Sequence, residues 1–155
     1  MFNTIINNNS AYVESDFNKN GFGLAKPIKG DINIEPKKGA ITASQDGEYI
    51  LFAGQFSGQG FGNYDIYQSS FTPQGWSDPI NLGENINTDF WESSPSLSPD
   101  NRTLFFSSNG HPGIGGLDIY RLAADARGDA TVKNLGYPVN SNKDDLGFSI
   151  KGNTG

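Results

Sequence analysis

The sequence predicts an all-β protein assembled from repeated sheets of four short antiparallel strands, and three observations predict it. The first is an internal repeat. Asp65, Ile66 and Tyr67 return 53 positions on as Asp118, Ile119 and Tyr120, and Leu82, Gly83 and Asn87 return at the same distance as Leu135, Gly136 and Asn140. Ser44, Asp46 and Phe52 return as Ser98, Asp100 and Phe106 at 54, so one residue slips in the loop between. A period in this range marks stacked units rather than a single closed core. The second observation is that Ile50, Leu51, Phe52 and Leu104, Phe105, Phe106 are apolar at consecutive positions, which a strand with one wet face does not show. The third is glycine, 20 of 155 residues against a usual share of about 7 %. The glycines fall between apolar runs, where tight turns need them, and stretches of helical period are absent.

In the first whole copy the strands are AITAS (40–44), YILFAG (49–54), YDIYQS (64–69) and DPINLG (78–83). In the second they are SPSLS (94–98), TLFFSS (103–108), LDIYRL (117–122) and TVKNLG (131–136). The turns QDGE (45–48) and PDNR (99–102) place Gly or Asn after Asp, where a hairpin needs positive φ. Gly21, Gly75 and Gly128 mark the hairpin between third and fourth strands in three successive units. On the N-terminal side, Tyr12 aligns with Tyr67, Gly21 with Gly75 and Pro27 with Pro79; on the C-terminal side, Ser149 and Ile150 align with Ser96 and Leu97. The expected organisation is the later strands of a partial unit in residues 1–38, whole units in 39–91 and 92–144, and the first strand of a further unit in 145–155.

Four-stranded sheets at this spacing, with inner strands covered on both faces, fit the blades of a β-propeller. A propeller ring needs roughly four to eight blades. Two whole blades plus parts of two more make an incomplete ring, so the remaining blades are expected from the same longer chain or from another copy. In the latter case the end of one copy completes the beginning of the next.

Composition narrows the function classes. A formal charge of −6 with scattered Lys and Arg argues against a nucleic-acid partner, which calls for a basic stripe. The absence of cysteine excludes disulfides and thiolate metal sites. The start MFNTIINNNS has neither the basic region nor the apolar run of a signal peptide.

SPDNRTLFFSS (98–108 with its preceding strand) and GGLDIYRL (115–122) resemble the TolB-type, WD-repeat-like propeller repeat. With NLGYPVNS (134–141) and NKDDLGF (142–148), the chain looks most like the propeller region of OmpA-family envelope proteins of Bacteroidetes-type bacteria. The likeness runs from about Tyr12 and is strong from Gly39 to Phe148. It departs at Gln45, where the pattern prefers Pro, and at GNYDIY (62–67), where it prefers a second Gly. The resemblance implies a periplasmic or outer-membrane-associated location. In that family a peptidoglycan-binding domain often follows the propeller; none lies within these residues, so cell-wall binding is carried over to no residue.

Several motifs carry candidate chemistry. Asp65 and Asp118 form a conspicuous acid pair, and paired carboxylates can do acid–base work. They are, however, one residue repeated beside a Gly-rich loop, and the expectation is that they accept backbone N–H bonds that fix it. Asp46 and Asp100 are read as turn residues. DFNKNG (16–21) matches the first half of a calcium loop, but position 9 is Leu24 and position 12 is Pro27 rather than Glu. His111 is the only histidine and no Cys or G-x-S-x-G accompanies it, so neither nucleophilic nor zinc catalysis is supported. No cofactor or metal is assigned.

What remains is material that departs from the repeat. NTDFWESS (87–94) sets Phe90 and Trp91 beside Asp89 and Glu92, where the preceding copy has no aromatics. Together with His111, these residues are the candidate binding positions, on the principle that function sits in loops on a rigid scaffold. Such a set suits a peptide or sugar surface; the alternative is that Phe90 and Trp91 pack between sheets. The expected function is a non-enzymatic binding or scaffolding propeller segment of a bacterial cell envelope with a protein partner. The alternatives are an accessory propeller of a peptidase or glycoside hydrolase, and a glycan-binding propeller.

Overall fold

The computed structural model describes residues 2–6, 9–15, 17–19, 21–33 and 38–151. Among them the chain is all-β, with antiparallel pairing throughout its sheets and a single short 3-10 turn at Asp31–Asn33. No helix among the described residues is long and apolar enough to cross a membrane.

The first sheet joins β1 (Phe2–Ile6) to β2 (Asn9–Glu14). A two-stranded ribbon, β3 (Phe17–Asn18) with β4 (Gly21–Phe22), follows, and β5 (Lys26–Pro27) then completes the first sheet beside β2. The second sheet contains β6 (Lys38–Ala43), β7 (Tyr49–Gly54) and β8 (Asp65–Thr72), whose far end pairs with β9 (Gly75–Trp76) and whose near end pairs with β10 (Ile80–Asn81). The third sheet runs β11 (Glu92–Leu97), β12 (Thr103–Ser108), β13 (Asp118–Ala124), β14 (Ala130–Asn134) in sequence order. Both complete sheets share one register: Phe52 lies opposite Tyr67 as Phe106 lies opposite Tyr120, and Gly54 opposite Asp65 as Ser108 opposite Asp118. The expected turn conformations are present, with Gly47 at φ 75° and Asn101 at φ 58°.

Alternate residues of a strand point to opposite faces, and this explains the consecutive apolar positions of β7. Ile50 and Phe52, with Tyr67, join Tyr12, Ile28, Ile32 and Phe56 in a core against the first sheet. Leu51 and Ile66 face the other way and join Ile86, Leu104, Phe106 and Tyr120 in a core against the third. The second sheet is thus buried on both faces. The stacked pair Phe52–Tyr67, at 6.1 Å and 25°, recurs as Phe106–Tyr120 at 5.8 Å and 28°.

A buried asparagine fixes each sheet's third strand. Asn87 Oδ1 accepts from Ile66 N at 2.7 Å while its Nδ2 donates to Ile66 O at 2.9 Å; Asn140 does the same to Ile119 at 2.8 and 2.9 Å. Asn33 makes the matching pair with Tyr12, at 2.8 and 3.1 Å. These bonds and the strand register correct the sequence alignment, by one residue at Tyr12 and by two at Pro27. Tyr12 corresponds to Ile66 rather than Tyr67, and Pro27, opposite Val13 as Asn81 is opposite Tyr67, corresponds to Asn81 rather than Pro79. The Tyr12 ring goes instead into the first core, where its hydroxyl donates to the Gly39 and Ala53 carbonyls at 3.1 and 3.0 Å.

Residues 145–150, expected as a first strand, enter as β11 does: Asp145 N donates to Leu117 O at 2.6 Å, as Glu92 N does to Tyr64 O at 2.8 Å. They are not a strand, because among the described residues no second strand lies beside them. Phe148 packs on Phe105 across 4.9 Å, on the outer face of the third sheet.

Candidate functional site

Three loops meet at one end of the second and third sheets. The β7–β8 loop is tied to the β10–β11 loop by Asn63 N donating to Phe90 O at 2.9 Å. The β10–β11 loop is tied in turn to the β12–β13 loop by Trp91 N donating to Asn109 Oδ1 at 3.0 Å and Asn109 N donating to Trp91 O at 3.3 Å. Gly62 permits this closeness, since a Cβ there would run into the Phe90 carbonyl; Gly115 faces Lys143 O in the same way.

Buried carboxylates hold the loops in shape. Asp65 accepts from Phe61 N at 2.7 Å, Gly62 N at 3.3 Å and Asn81 Nδ2 at 3.0 Å. Asp118 accepts from Ile114 N at 2.5 Å, Gly115 N at 3.3 Å and Asn134 Nδ2 at 3.3 Å. Both acids thus tie the backbone of the loop that precedes them to the fourth-strand asparagine. Glu92 is fully buried. It accepts from Thr88 N and Thr88 Oγ1 at 2.8 Å each and from Ser108 Oγ at 2.6 Å, so it has no surface to offer a ligand.

The same device closes the next loop, where Asp145 accepts from Ser141 N at 2.6 Å and from Ser141 Oγ. The repeat therefore continues through residues 88–92, where the sequence suggested that it fails. Thr88 and Glu92 correspond to Ser141 and Asp145, and the Phe90 carbonyl bond from Asn63 corresponds to the Lys143 carbonyl bond from Gly116 at 3.2 Å. The side chains differ, with Phe90 and Trp91 standing where Lys143 and Asp144 stand one repeat later; Asp144 Oδ1 accepts from Leu117 N at 2.9 Å where Trp91 packs on Tyr64.

Phe90 is 56 % exposed and Trp91 46 %. The Trp91 ring leans on Tyr64 with centroids 5.5 Å apart, and Phe61, exposed as well, rises from the adjoining loop. Asp89 is exposed and bonds to none of the described residues. His111 lies apart from this set. Its ring packs on Tyr120 at 5.2 Å and Phe106 at 5.8 Å, and its Nε2 is 2.8 Å from Ile86 O. It fills the space that Phe56 fills against Tyr67 and Phe52, at 4.7 and 6.0 Å, in the preceding sheet.

No known protein family and no curated protein matches this chain.

Two further acids sit in hairpin turns. Asp46 accepts from Ser44 Oγ at 2.6 Å and Glu48 N at 3.0 Å, and Asp100 accepts from Ser98 Oγ at 2.6 Å and Arg102 N at 3.1 Å. The serine hydroxyl is the main reason both carboxyls sit below the ordinary aspartate range. Both belong to the hairpin turns at the far end of β7 and β12. Near the second of these turns an open groove of about 300 Å³ between the second and third sheets has a mostly apolar lining, with Gln68, Asn101 and Arg102 among its residues. Among the described residues no three His, Cys, Asp or Glu side chains gather as a metal site requires. The loop considered for calcium includes Asp16 and Asn20, which lie outside the described residues.

Sequence reasoning did not single out Thr88, Phe61 or Tyr64. The signal was present for Thr88, since Ser141 stands 53 positions on beside a recurring Asn. Phe61 stands four residues before Asp65 as Ile114 stands four before Asp118.

Proposed function

We propose that the sheets are blades of a β-propeller and that the chain serves as a non-enzymatic binding scaffold for a protein partner in a bacterial cell envelope. The observation that carries this is the loop end of the second and third sheets. Identical backbone closures there display Phe90 and Trp91 in one repeat and Lys143 and Asp144 in the next. A framework that keeps its bonds while its displayed side chains change is suited to recognition. Asp65, Asp118 and Glu92 each accept hydrogen bonds from loop groups, which supports a structural role for the conspicuous acids. The remaining blades come from the same longer chain or from another copy. The envelope location rests on the resemblance of GGLDIYRL and NLGYPVNS to OmpA-family propeller repeats.

A photo-crosslinking amino acid placed at position 90, in cells that make the protein, tests the proposal. A covalent adduct with a protein, recovered in the envelope fraction, is the expected result. Recovery of the protein in the cytosol without an adduct would overturn it.

A further inference from the structure

We infer that the surface formed by Phe61, Tyr64, Phe90 and Trp91 with Asp89 receives an arginine-bearing segment of the protein partner; this rests on the scaffold function proposed above. The main-chain closure of this loop does not require aromatic side chains, since Asp144 bonds Leu117 N in the next repeat where Trp91 packs on Tyr64 here. The following repeat closes the same loop with Lys143 and Asp144, through the same carbonyl bond and the same Ser/Thr-to-carboxylate bonds. Phe90 and Trp91 are each about half exposed, so burial in this chain is not what holds them at the surface.

The charge around the surface selects its occupant. Asp89, exposed next to Phe90, bonds to none of the described residues. Asp65 and Glu92, at the ends of the loops that carry the surface, are buried, and their hydrogen-bond donors among the described residues are backbone N–H groups, an amide and hydroxyls. The whole chain carries −6. An exposed carboxylate on a chain of net negative charge attracts cations to the rings beside it. Indole and phenol faces attract a guanidinium through the ring quadrupole, most strongly Trp, and a carboxylate beside them offers its two oxygens to the guanidinium fork. A neutral sugar could stack on the same rings but would gain nothing from the field.

Fluorescence polarisation of the full chain with a labelled Gly-Arg-Gly-Arg-Gly peptide tests the inference against the citrulline peptide, which keeps the shape and loses the charge. Binding of the arginine peptide is expected to be about tenfold tighter than that of the citrulline peptide and to weaken as salt is raised. Phe90→Lys combined with Trp91→Asp, which installs the side chains of the next repeat without changing net charge, is expected to lower affinity about tenfold while leaving the melting temperature in place. Should that double variant unfold, Asp89→Asn alone serves, with a loss of about threefold. Equal binding of the two peptides, binding indifferent to these substitutions, or displacement of the probe only by an oligosaccharide would overturn the inference. If the peptides fail while position 90 still captures a protein in the envelope, the basic segment is wrong and the scaffold function stands. If the arginine peptide binds but no protein is captured, the surface chemistry stands and the cellular function does not.

Discussion

Ile86 and Val139 hold the same place in successive repeats, yet Ile86 is 4 % exposed and Val139 36 %. Leu97 and Ile150 differ in the same way: Leu97 packs into the core between the second and third sheets, whereas Ile150 is 43 % exposed. The polar framework does not follow this difference. Asn140 is as fully buried and bonded on the open side as Asn87 is on the closed side, and the acid-anchored loops share the Thr88–Glu92 and Ser141–Asp145 bonds, to which Ser108 adds one at Glu92. Each sheet therefore carries its own hydrogen-bonded framework, while its apolar burial depends on a neighbouring sheet. On the outer side of the third sheet Phe148 covers Phe105, while Val139 and Ile150 stay exposed.

The largest effect should come from the framework. Asn87→Ala and Asn140→Ala each orphan a buried N–H and C=O, at about 1–3 kcal/mol per group, so each is expected to cost roughly 2–5 kcal/mol in urea denaturation. Similar costs for the two variants would show that the framework is complete on both sides; a negligible cost for Asn140→Ala alone would break the comparison. Apolar truncation should separate the two sides. Ile86→Ala is expected to cost about 2–5 kcal/mol and Val139→Ala less than about 1 kcal/mol, because only the first removes packed volume.

The smallest effect concerns the far turns. Asp46 and Asp100 are both held below the ordinary value of about 3.9 by matching serine hydroxyls. A depressed folded value means stability present above the unfolded value and lost as pH falls through the folded one. Carboxyl NMR titration should therefore show both acids titrating below about 3.9 and alike. A normal titration for Asp100 would mean that the open side disturbs the third sheet's framework after all.

Much of this arrangement was readable before the structure. Consecutive apolar positions in 50–52 and 104–106 revealed sheets buried on both faces, and Asp followed by Gly or Asn revealed the positive-φ turns. Two features were hidden because residue identity and structural role diverge. Tyr12 matches Tyr67 by type, but its backbone takes the asparagine bonds of Ile66, one position away. The loop at 88–92 looked unique because Phe90 and Trp91 catch the eye. Its repeated parts are the quieter substitutions of Ser141 for Thr88 and Asp145 for Glu92, which preserve a hydroxyl-to-carboxylate bond. Which apolar residues stay exposed could not be read from the chain, since Ile86 and Val139 differ in their neighbours rather than in their chemistry.

The chain contains no cysteine, so a single thiol at either position reports its own accessibility. In the purified chain, Val139→Cys should react with a maleimide far faster than Ile86→Cys. The decisive measurement is the same labelling on the protein as it stands in its native cells. If a further sheet covers the open face there, Val139→Cys will slow to the rate of Ile86→Cys; if Val139→Cys stays as reactive in cells as in isolation, the repeating-sheet account of that face is wrong.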